Sequence, residues 1–402
     1  MVLLFWSSCA VIAYVYAGYP ALLMVWARLR PRPIAEAQSS PAPGVSIVLA
    51  ERNEGPRLAT RLDNLLQLSY PSGRRQIIVV SDGSSHDTLD VLRRYEGLIE
   101  AVAVEAGGKA SALNAGVSRA THEILVFADA RQAFARDAVI ELTSPFRDPQ
   151  VGAVTGELLL DGESPGRRIA VSDRRRPDGE LRDRVSSDCR RATDRRRSLD
   201  STMADGVGLY WRYEKGIRRL ESSVGSTLGA TGAIYAMRRS LWMPLPADTI
   251  LDDVLAPMRA VLAGYRTVFN EKARAFDRVA PDADAEARRK VRTLAGNYQI
   301  LRLEPRLLMP WRNPVWLQYV SHKIGRLVVP YALLTLMASS MALADRSIVF
   351  AAALGAQCVF YLLAGYGAWL DLCGTTASSR IAPLSVMWPS MRPPDRRGAI
   401  NV

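Results

Sequence analysis

Three apolar, strand-length runs in this chain each end on polar residues at equivalent places, and that repetition constrains the fold more than anything else in the sequence. VSIVLA (residues 45–50) runs into Arg52, Asn53 and Glu54, QIIVVSD (76–82) closes on Asp82, and HEILVFAD (122–129) closes on Asp129. Leu58, Leu62, Leu65 and Leu66 follow the first run at helical spacing, so the unit reads as a strand feeding a helix. Runs this uniformly apolar suit a parallel sheet buried on both faces, and an open α/β sheet binds its ligand along the carboxyl edge. The expected fold class is α/β, a Rossmann-like mixed sheet with a nucleotide site on that edge. Capping of the following turns would also use Asp82 and Asp129, but three matching strand ends point to one shared site.

Further segments continue the order: KASALNAG from Lys109, DPQVGAVTGEL from Asp148, GATGAIYAMRR from Gly229, and TILDD ending at Asp253. Together with SIVLAERNE, VVSDGSSHDT and VFADA, this ordered set resembles the family 2 glycosyltransferases. These are inverting enzymes of GT-A fold that include hyaluronan, chitin, cellulose and poly-N-acetylglucosamine synthases. The resemblance covers about residues 44–300, the expected GT-A glycosyltransferase domain. It implies that Asn53, Glu54 and Asp82 hold the nucleoside and that Lys109 lies beside the diphosphate. It further implies that Asp129 is the first acid of the DxD motif, a ligand of Mg2+ or Mn2+, and that Asp253 is the general base.

The reaction asks for these residue types. Inverting transfer needs one carboxylate to take the proton of the acceptor hydroxyl as it attacks the anomeric carbon, while the nucleotide diphosphate leaves from the opposite face. Asp253 beside Asp252 fits, because adjacent carboxylates repel and raise one pKa. The leaving diphosphate must be met by a metal or by basic side chains. Here the chain departs from the family, since Asp129 and Ala130 are followed by Arg131 where the second acid stands. A guanidinium binds no divalent cation but pairs bidentately with phosphate oxygens. Arg131 either replaces part of the metal's charge or pairs with a neighbouring carboxylate; an inactive site is the third reading.

The acceptor side departs as well. Polymerising members carry QxxRW downstream of the base, with its Trp beside the acceptor sugar. The corresponding stretch here is Arg289-Lys290-Val291-Arg292-Thr293, which keeps Arg292 as an acceptor-binding candidate and loses Gln and Trp. Gln299-Ile300-Leu301-Arg302-Leu303 fits in part, later in the chain and again without Trp. Loss of the aromatic platform weakens the case for chain extension. Gly229, Thr231 and Gly232 are further acceptor-side candidates, since glycines permit close backbone approach, although a tight turn before a strand uses them equally. Tyr210, Trp211, Tyr213 and Trp242 either line a sugar site or belong to the core.

The ends of the chain describe a membrane protein. Residues 1–27 form an uncharged apolar run with Trp6 and Trp26 in it and Arg28, Arg30 and Arg32 just beyond, long enough to span a bilayer. No basic stretch precedes it, so a cleaved signal peptide is the weaker reading. Residues 327–370 hold two more expected spans joined by Asp345, Arg346 and Ser347. By the positive-inside rule the catalytic domain and the tail 371–402, with Arg380, Arg392, Arg396 and Arg397, lie in the cytosol beneath the inner (plasma) membrane. Residues 303–326 mix Trp311, Trp316 and Tyr319 with Arg306, Arg312, Lys323 and Arg326 around Pro310 and Pro314, the composition of an interfacial amphipathic segment. An ordinary linker is the alternative, and His322 and Lys323 need no catalytic role.

A chain of 402 residues accommodates one such domain plus its membrane parts. Much of the formal net charge of +12 comes from residues 167–197, within an Arg-rich insertion (161–205) of disordered character that would meet anionic lipid headgroups, an acidic acceptor, or nothing specific. Without interleaved aromatics it makes no nucleic-acid site. Cys9, Cys189, Cys358 and Cys373 form no disulfide framework; His86, His122 and His322 lack metal-ligand spacing. Neither Walker A nor GxGxxG is present, which removes ATPase and dehydrogenase readings.

The expected function is transfer of a sugar, foremost from a UDP-sugar, to a carbohydrate or lipid-linked acceptor in cell-surface or extracellular polysaccharide synthesis. Three spans would need an oligomer or a membrane partner to enclose a polysaccharide channel. Arg131 and the lost QxxRW leave a catalytically inactive scaffold or regulatory partner as the rival from another class.

Overall fold

The apolar runs become strands of a single mixed sheet. In the computed structural model the described residues are 1–35, 41–84, 86–160, 211–277 and 283–372. The Arg-rich insertion 161–205, Tyr210, Cys189, Cys373 and the tail arginines lie outside them. The strands are β1 (Val45–Glu51), β2 (Arg75–Asp82), β3 (Glu100–Val104), β4 (Ile124–Ala128), β5 (Ala133–Phe134), β6 (Val151–Leu160), β7 (Ile234–Arg238) and β8 (Arg266–Asp277). They run in the order β3-β2-β1-β4-β7-β6-β8-β5. The first four are mutually parallel, β7 is antiparallel to both β4 and β6, and β8 is parallel to β6. The carboxyl ends of β1, β2, β4, β6 and β8 therefore share one edge with the amino end of β7.

The helices are α1 (Val2–Leu29), α2 (Gly55–Leu66), α3 (His86–Arg93), α4 (Lys109–Arg119), α5 (Ala138–Thr143), α6 (211–224), α7 (Asp252–Leu262), α8 (Ala283–Leu303), α9 (Trp316–Arg346) and α10 (Ile348–Leu372). Leu58, Leu62 and Leu65 of α2 cover Ile47, Leu49 and Val79 on one face of the sheet. On the other, Leu113 of α4 and Leu255 and Met258 of α7 cover Val48, Ile78, Phe127 and Tyr235. This double cover is why the central strands read as continuous apolar runs. Each such fully buried side chain contributes about 1.5–3 kcal/mol over its exposed state.

Three helices are long and apolar enough to cross a membrane: Val2–Leu29, Trp316–Arg346 and Ile348–Tyr366. The second begins at Trp316, upstream of the expected start at Leu327. Asn313 explains the early start, because its Oδ1 accepts the Val315 N–H at 3.0 Å just after Pro314, and Tyr319, 2% exposed, is built into the core beneath α7. The π-helical turns at Tyr14–Gly18 and Tyr319–Ile324 meet through Tyr14 Oη and Ser321 Oγ at 2.7 Å. Buried Glu221 of α6 ties both helices to the sheet domain, its Oε1 accepting from Tyr19 Oη at 2.7 Å and lying 2.7 Å from His322 Nδ1.

The chain divides into two units, Met1–Asp161 with Lys215–Ser339, and Gly162–Glu214 with Ser340–Val402. All eight strands belong to the first. In the second, Gln357 Nε2 donates to Ser340 Oγ at 3.3 Å.

Candidate active site

At the end of β1 the chain must turn sharply, and Asn53 does so with φ 55°, a left-handed conformation Asn tolerates. Its N–H donates to Ser84 Oγ at 3.1 Å, and Ser84 Oγ donates to Glu51 Oε1 at 3.2 Å. The Glu54 N–H reaches Glu51 Oε2 at 3.4 Å, while the Glu54 carboxylate lies 3.6 Å from Arg57. Glu51, 4% exposed, thus organises the turn that presents Asn53 and Glu54. At the end of β2, Asp82 Oδ1 accepts the Gly107 N–H at 2.7 Å and Oδ2 accepts the Gly108 N–H at 3.0 Å. Gly108, at φ 84°, then delivers the chain into α4 with Lys109 as its first residue.

The Lys109 ammonium bridges two acids, 3.2 Å from Asp129 Oδ1 at the end of β4 and 3.3 Å from Asp252 Oδ1 at the start of α7. Burial pulls the Lys109 pKa down, but Asp252, Asp129 and Asp253 outweigh it and hold the ammonium charged. Asp253 is half-buried, and its Oδ2 accepts the Gly232 N–H at 2.9 Å. A Cβ on residue 232 would lie 2.9 Å from that oxygen, so any side chain there would displace the Asp253 carboxylate. Burial first, then the Asp252 charge, pushes the Asp253 carboxyl up to about 6, against the opposing pull of Lys109 and Lys323. Lys323, on the first turns of α9, is thus brought within electrostatic reach of the acidic cluster.

The glycine-rich segment is held from two sides. Thr231 donates its N–H to Thr155 Oγ1 at 2.9 Å and accepts from Arg218 Nη1 of α6 at 2.6 Å. Gly229 adopts φ 128° against Val254 and the Asp253 carbonyl. Gly229, Thr231 and Gly232 therefore form one wall around Asp253. Arg292 does not join it: it is exposed on α8, and its side chain makes no hydrogen bond or ion pair with any described residue. Gln299, about two turns further on, reaches the loop before the acids, its Oε1 accepting the Ile250 N–H at 2.9 Å and its Nε2 donating to the Asp248 carbonyl at 2.8 Å.

Arg131 pairs with Asp277 Oδ2 of β8 at 3.0 Å, the carboxylate alternative of the two weighed for it. Arg61 of α2, 2% exposed, stacks on the Phe134 ring at 4.1 Å and donates to Asn64 Oδ1 at 2.6 Å. Burial lowers its guanidinium to about 9, with the Asp129 charge opposing. Trp242 belongs with the core, stacked on Phe127 at 5.1 Å. Among the described residues no group of three or more His, Cys, Asp or Glu side chains is arranged to hold a metal. Asp129, its side chain 35% exposed, has one oxygen on Lys109 and, among the described residues, no partner for the other. One open carboxylate matches the way Mg2+ is usually held, by one or two acids plus substrate phosphates.

The sequence hid Glu51 and Asp277, the last residues of β1 and β8, and Tyr235 within β7, where nothing in the local pattern marks them as more than sheet residues. Gln299 carried a signal in the partial QxxR at residues 299–302.

Residues 42–296 match the family described as glycosyltransferase-like family 2. The poly-β-1,6-N-acetyl-D-glucosamine synthase of Staphylococcus epidermidis is 32% identical over 135 residues, 33% of this chain and 32% of that protein. The synthase of Staphylococcus aureus (strain COL) is 32% identical over 125 residues, 30% of each chain. The matched stretch thus spans about a third of the curated relatives' length. The mannosyltransferase PcManGT from Pyrobaculum calidifontis, solved with GDP-Man and Mn2+, aligns with a TM-score of 0.64 at 21% identity, over 96% of this chain and 99% of that one. That likeness establishes the shared fold, the GT-A mixed α/β sheet. The family match runs from before β1 into α8 and takes in Lys109, Asp129, Asp252 and Asp253, so the chain belongs to glycosyltransferase family 2.

Proposed function

We propose that this chain is a membrane-bound, inverting transferase that moves one sugar from a nucleotide-sugar donor, foremost a UDP-sugar, to a carbohydrate or lipid-linked acceptor in cell-surface or extracellular polysaccharide synthesis. The observation that carries the reading is the convergence of Lys109, Asp129, Asp252 and Asp253 on the carboxyl edge of the sheet. The turn at Asn53 and Glu54, with Asp82, takes the nucleoside. Lys109 meets the leaving diphosphate with positive charge in a site already built of opposing carboxylates. A divalent ion, Mg2+ or Mn2+, would be held by Asp129 together with the diphosphate and would add charge at the leaving group.

Asp253 is the base. Its Oδ2 is occupied by the Gly232 N–H, which leaves Oδ1 to receive the acceptor proton. A carboxyl poised at about 6 is ionised at neutral pH yet more basic than a free aspartate. Gly229, Thr231 and Gly232 shape the acceptor cleft. The apolar helices and the arginines beside them support attachment to the inner membrane with the sheet domain in the cytosol.

The test is a donor panel on membranes containing the full chain: UDP-N-acetylglucosamine, which carries the sugar named in the staphylococcal relatives, with UDP-glucose, UDP-glucuronate and GDP-mannose as contrasts. Nucleotide release is read beside product length. Release with one-sugar products supports single addition, and longer products support polymer synthesis. No release with any donor or added acceptor would favour an inactive scaffold.

A further inference from the structure

Two buried polar atoms beside the acidic cluster lack partners. The Tyr235 hydroxyl is wholly buried and makes no hydrogen bond to a described residue, and Asp252 Oδ2, in a residue 4% exposed, makes none either. Buried orphans of this kind are rare in folded proteins and expensive to keep. They belong to facing elements. Tyr235 sits in β7 opposite Phe127 of β4, its ring stacked on Phe127 at 4.6 Å, on the sheet face that α4 and α7 cover. α4 begins with Lys109 and α7 with Asp252. The Asp252 charge is also, after burial, the strongest influence raising the Tyr235 phenol.

Asp252 is satisfied through one oxygen, by Lys109. In the reading given above, Lys109 serves a diphosphate. A donor that draws the ammonium outward leaves Asp252 as a buried carboxylate without its cation, a costly state unless another donor arrives. We propose that the Tyr235 hydroxyl is that donor, hydrogen-bonding Asp252 directly or through one water once Lys109 has moved to the diphosphate. Tyr235 is then a positioning residue for nucleotide binding, and its orphan hydroxyl in the free protein is the cost of holding a partner in reserve. The inference rests on Lys109 meeting the diphosphate.

The experiment is a double-mutant cycle on the full chain in detergent, with UDP and GDP as probes and Mn2+ present. Tyr235→Phe keeps the ring, so the free protein should unfold at a higher temperature than the parent, having lost an unsatisfied hydroxyl. Its affinity for the nucleotide diphosphate should fall about tenfold, the scale of one hydrogen bond to a charged group. In an Asp252→Asn background the same change should cost less than about twofold, since no charge is left to satisfy. An equal loss in both backgrounds would assign Tyr235 to packing and overturn the proposal, as would no loss in the parent. If instead the parent binds neither UDP nor GDP, the nucleotide-site reading fails and takes this inference with it. A failed cycle on a protein that does bind leaves that reading standing.

Discussion

Arg131 and Asp277 form an ion pair at 3.0 Å that joins the end of β4 to the end of β8, with Gln132 Nε2 donating to the same carboxylate oxygen at 2.9 Å. Asp277 is 4% exposed and its other oxygen has no partner among the described residues, so among these it depends on the two donors. The residue standing where relatives carry a second acid is therefore committed to holding the strand ends together. Arg131→Asp should not install a metal site; it sets a carboxylate against a buried one. The variant should unfold well below the parent, and Arg131→Ala should cost about 1–3 kcal/mol. Thermal unfolding with a parallel Mn2+ titration of transfer decides it. An Arg131→Asp protein as stable as the parent, with transfer newly dependent on Mn2+, would show that Arg131 acts at the diphosphate.

Asp253→Asn should reduce transfer by about 100-fold or more, the scale of a lost general base. UDP affinity should stay within a few-fold, because the amide still accepts the Gly232 N–H and Lys109 keeps its contacts to Asp129 and Asp252. Single-turnover kinetics beside a binding titration separate the two effects. Transfer at the parental rate would remove Asp253 from the role.

Much of this site was legible because its residues are punctuation. Asp82 and Asp129 stand where a buried apolar run stops, and Asp252 and Asp253 where a helix begins, so local pattern alone places them on one edge. The partners were not legible. Arg131 finds Asp277 across more than a hundred residues, and Glu51, the last residue of β1, looks like any strand residue until the turn at Asn53 folds back on it. The early start of α9 escaped because aromatic and basic residues near Pro314 resemble an interfacial segment; Tyr319 is buried by tertiary packing that composition cannot show. Arg292 stands at the family's distance from the base along the chain, whereas α8 turns Gln299 toward the ILDD loop.

Gln299 makes its own prediction. It is the side chain that ties α8 to the loop carrying Asp252 and Asp253, through Ile250 and Asp248. Gln299→Ala should lower kcat about tenfold through misplacement of the base, with nucleotide affinity little changed. Arg292→Ala should change neither. The reverse pattern would return the acceptor role to Arg292.

Topology is tested by reporters fused after the last helix and within the short connection at Asp345–Ser347. The arginines following α1 and those in the tail predict a cytosolic carboxyl terminus and an external connection. A terminus found outside would contradict the assignment.

The pH dependence of stability carries a sign that transfer assays alone do not. An aspartate in an unfolded chain titrates near about 3.9, whereas Asp253 in the folded protein is pushed up to about 6 by burial and by Asp252. Between those values the folded state binds more protons than the unfolded one, so this residue's contribution to stability is full below about pH 4 and is lost as pH rises through about 6. Asn at this position carries no charge at any pH. The parent and Asp253→Asn should therefore unfold at similar temperatures near pH 4, and above about pH 6 the variant should be the more stable, on the order of 2 kcal/mol. Transfer by the parent should move the opposite way, falling as pH drops through about 6 and the base is protonated. Unfolding curves for both proteins across pH 4 to 8, set beside the acid limb of kcat, test the two together. A stability difference that stays constant with pH would mean Asp253 titrates like a free aspartate, and the acid limb would then lie near pH 4.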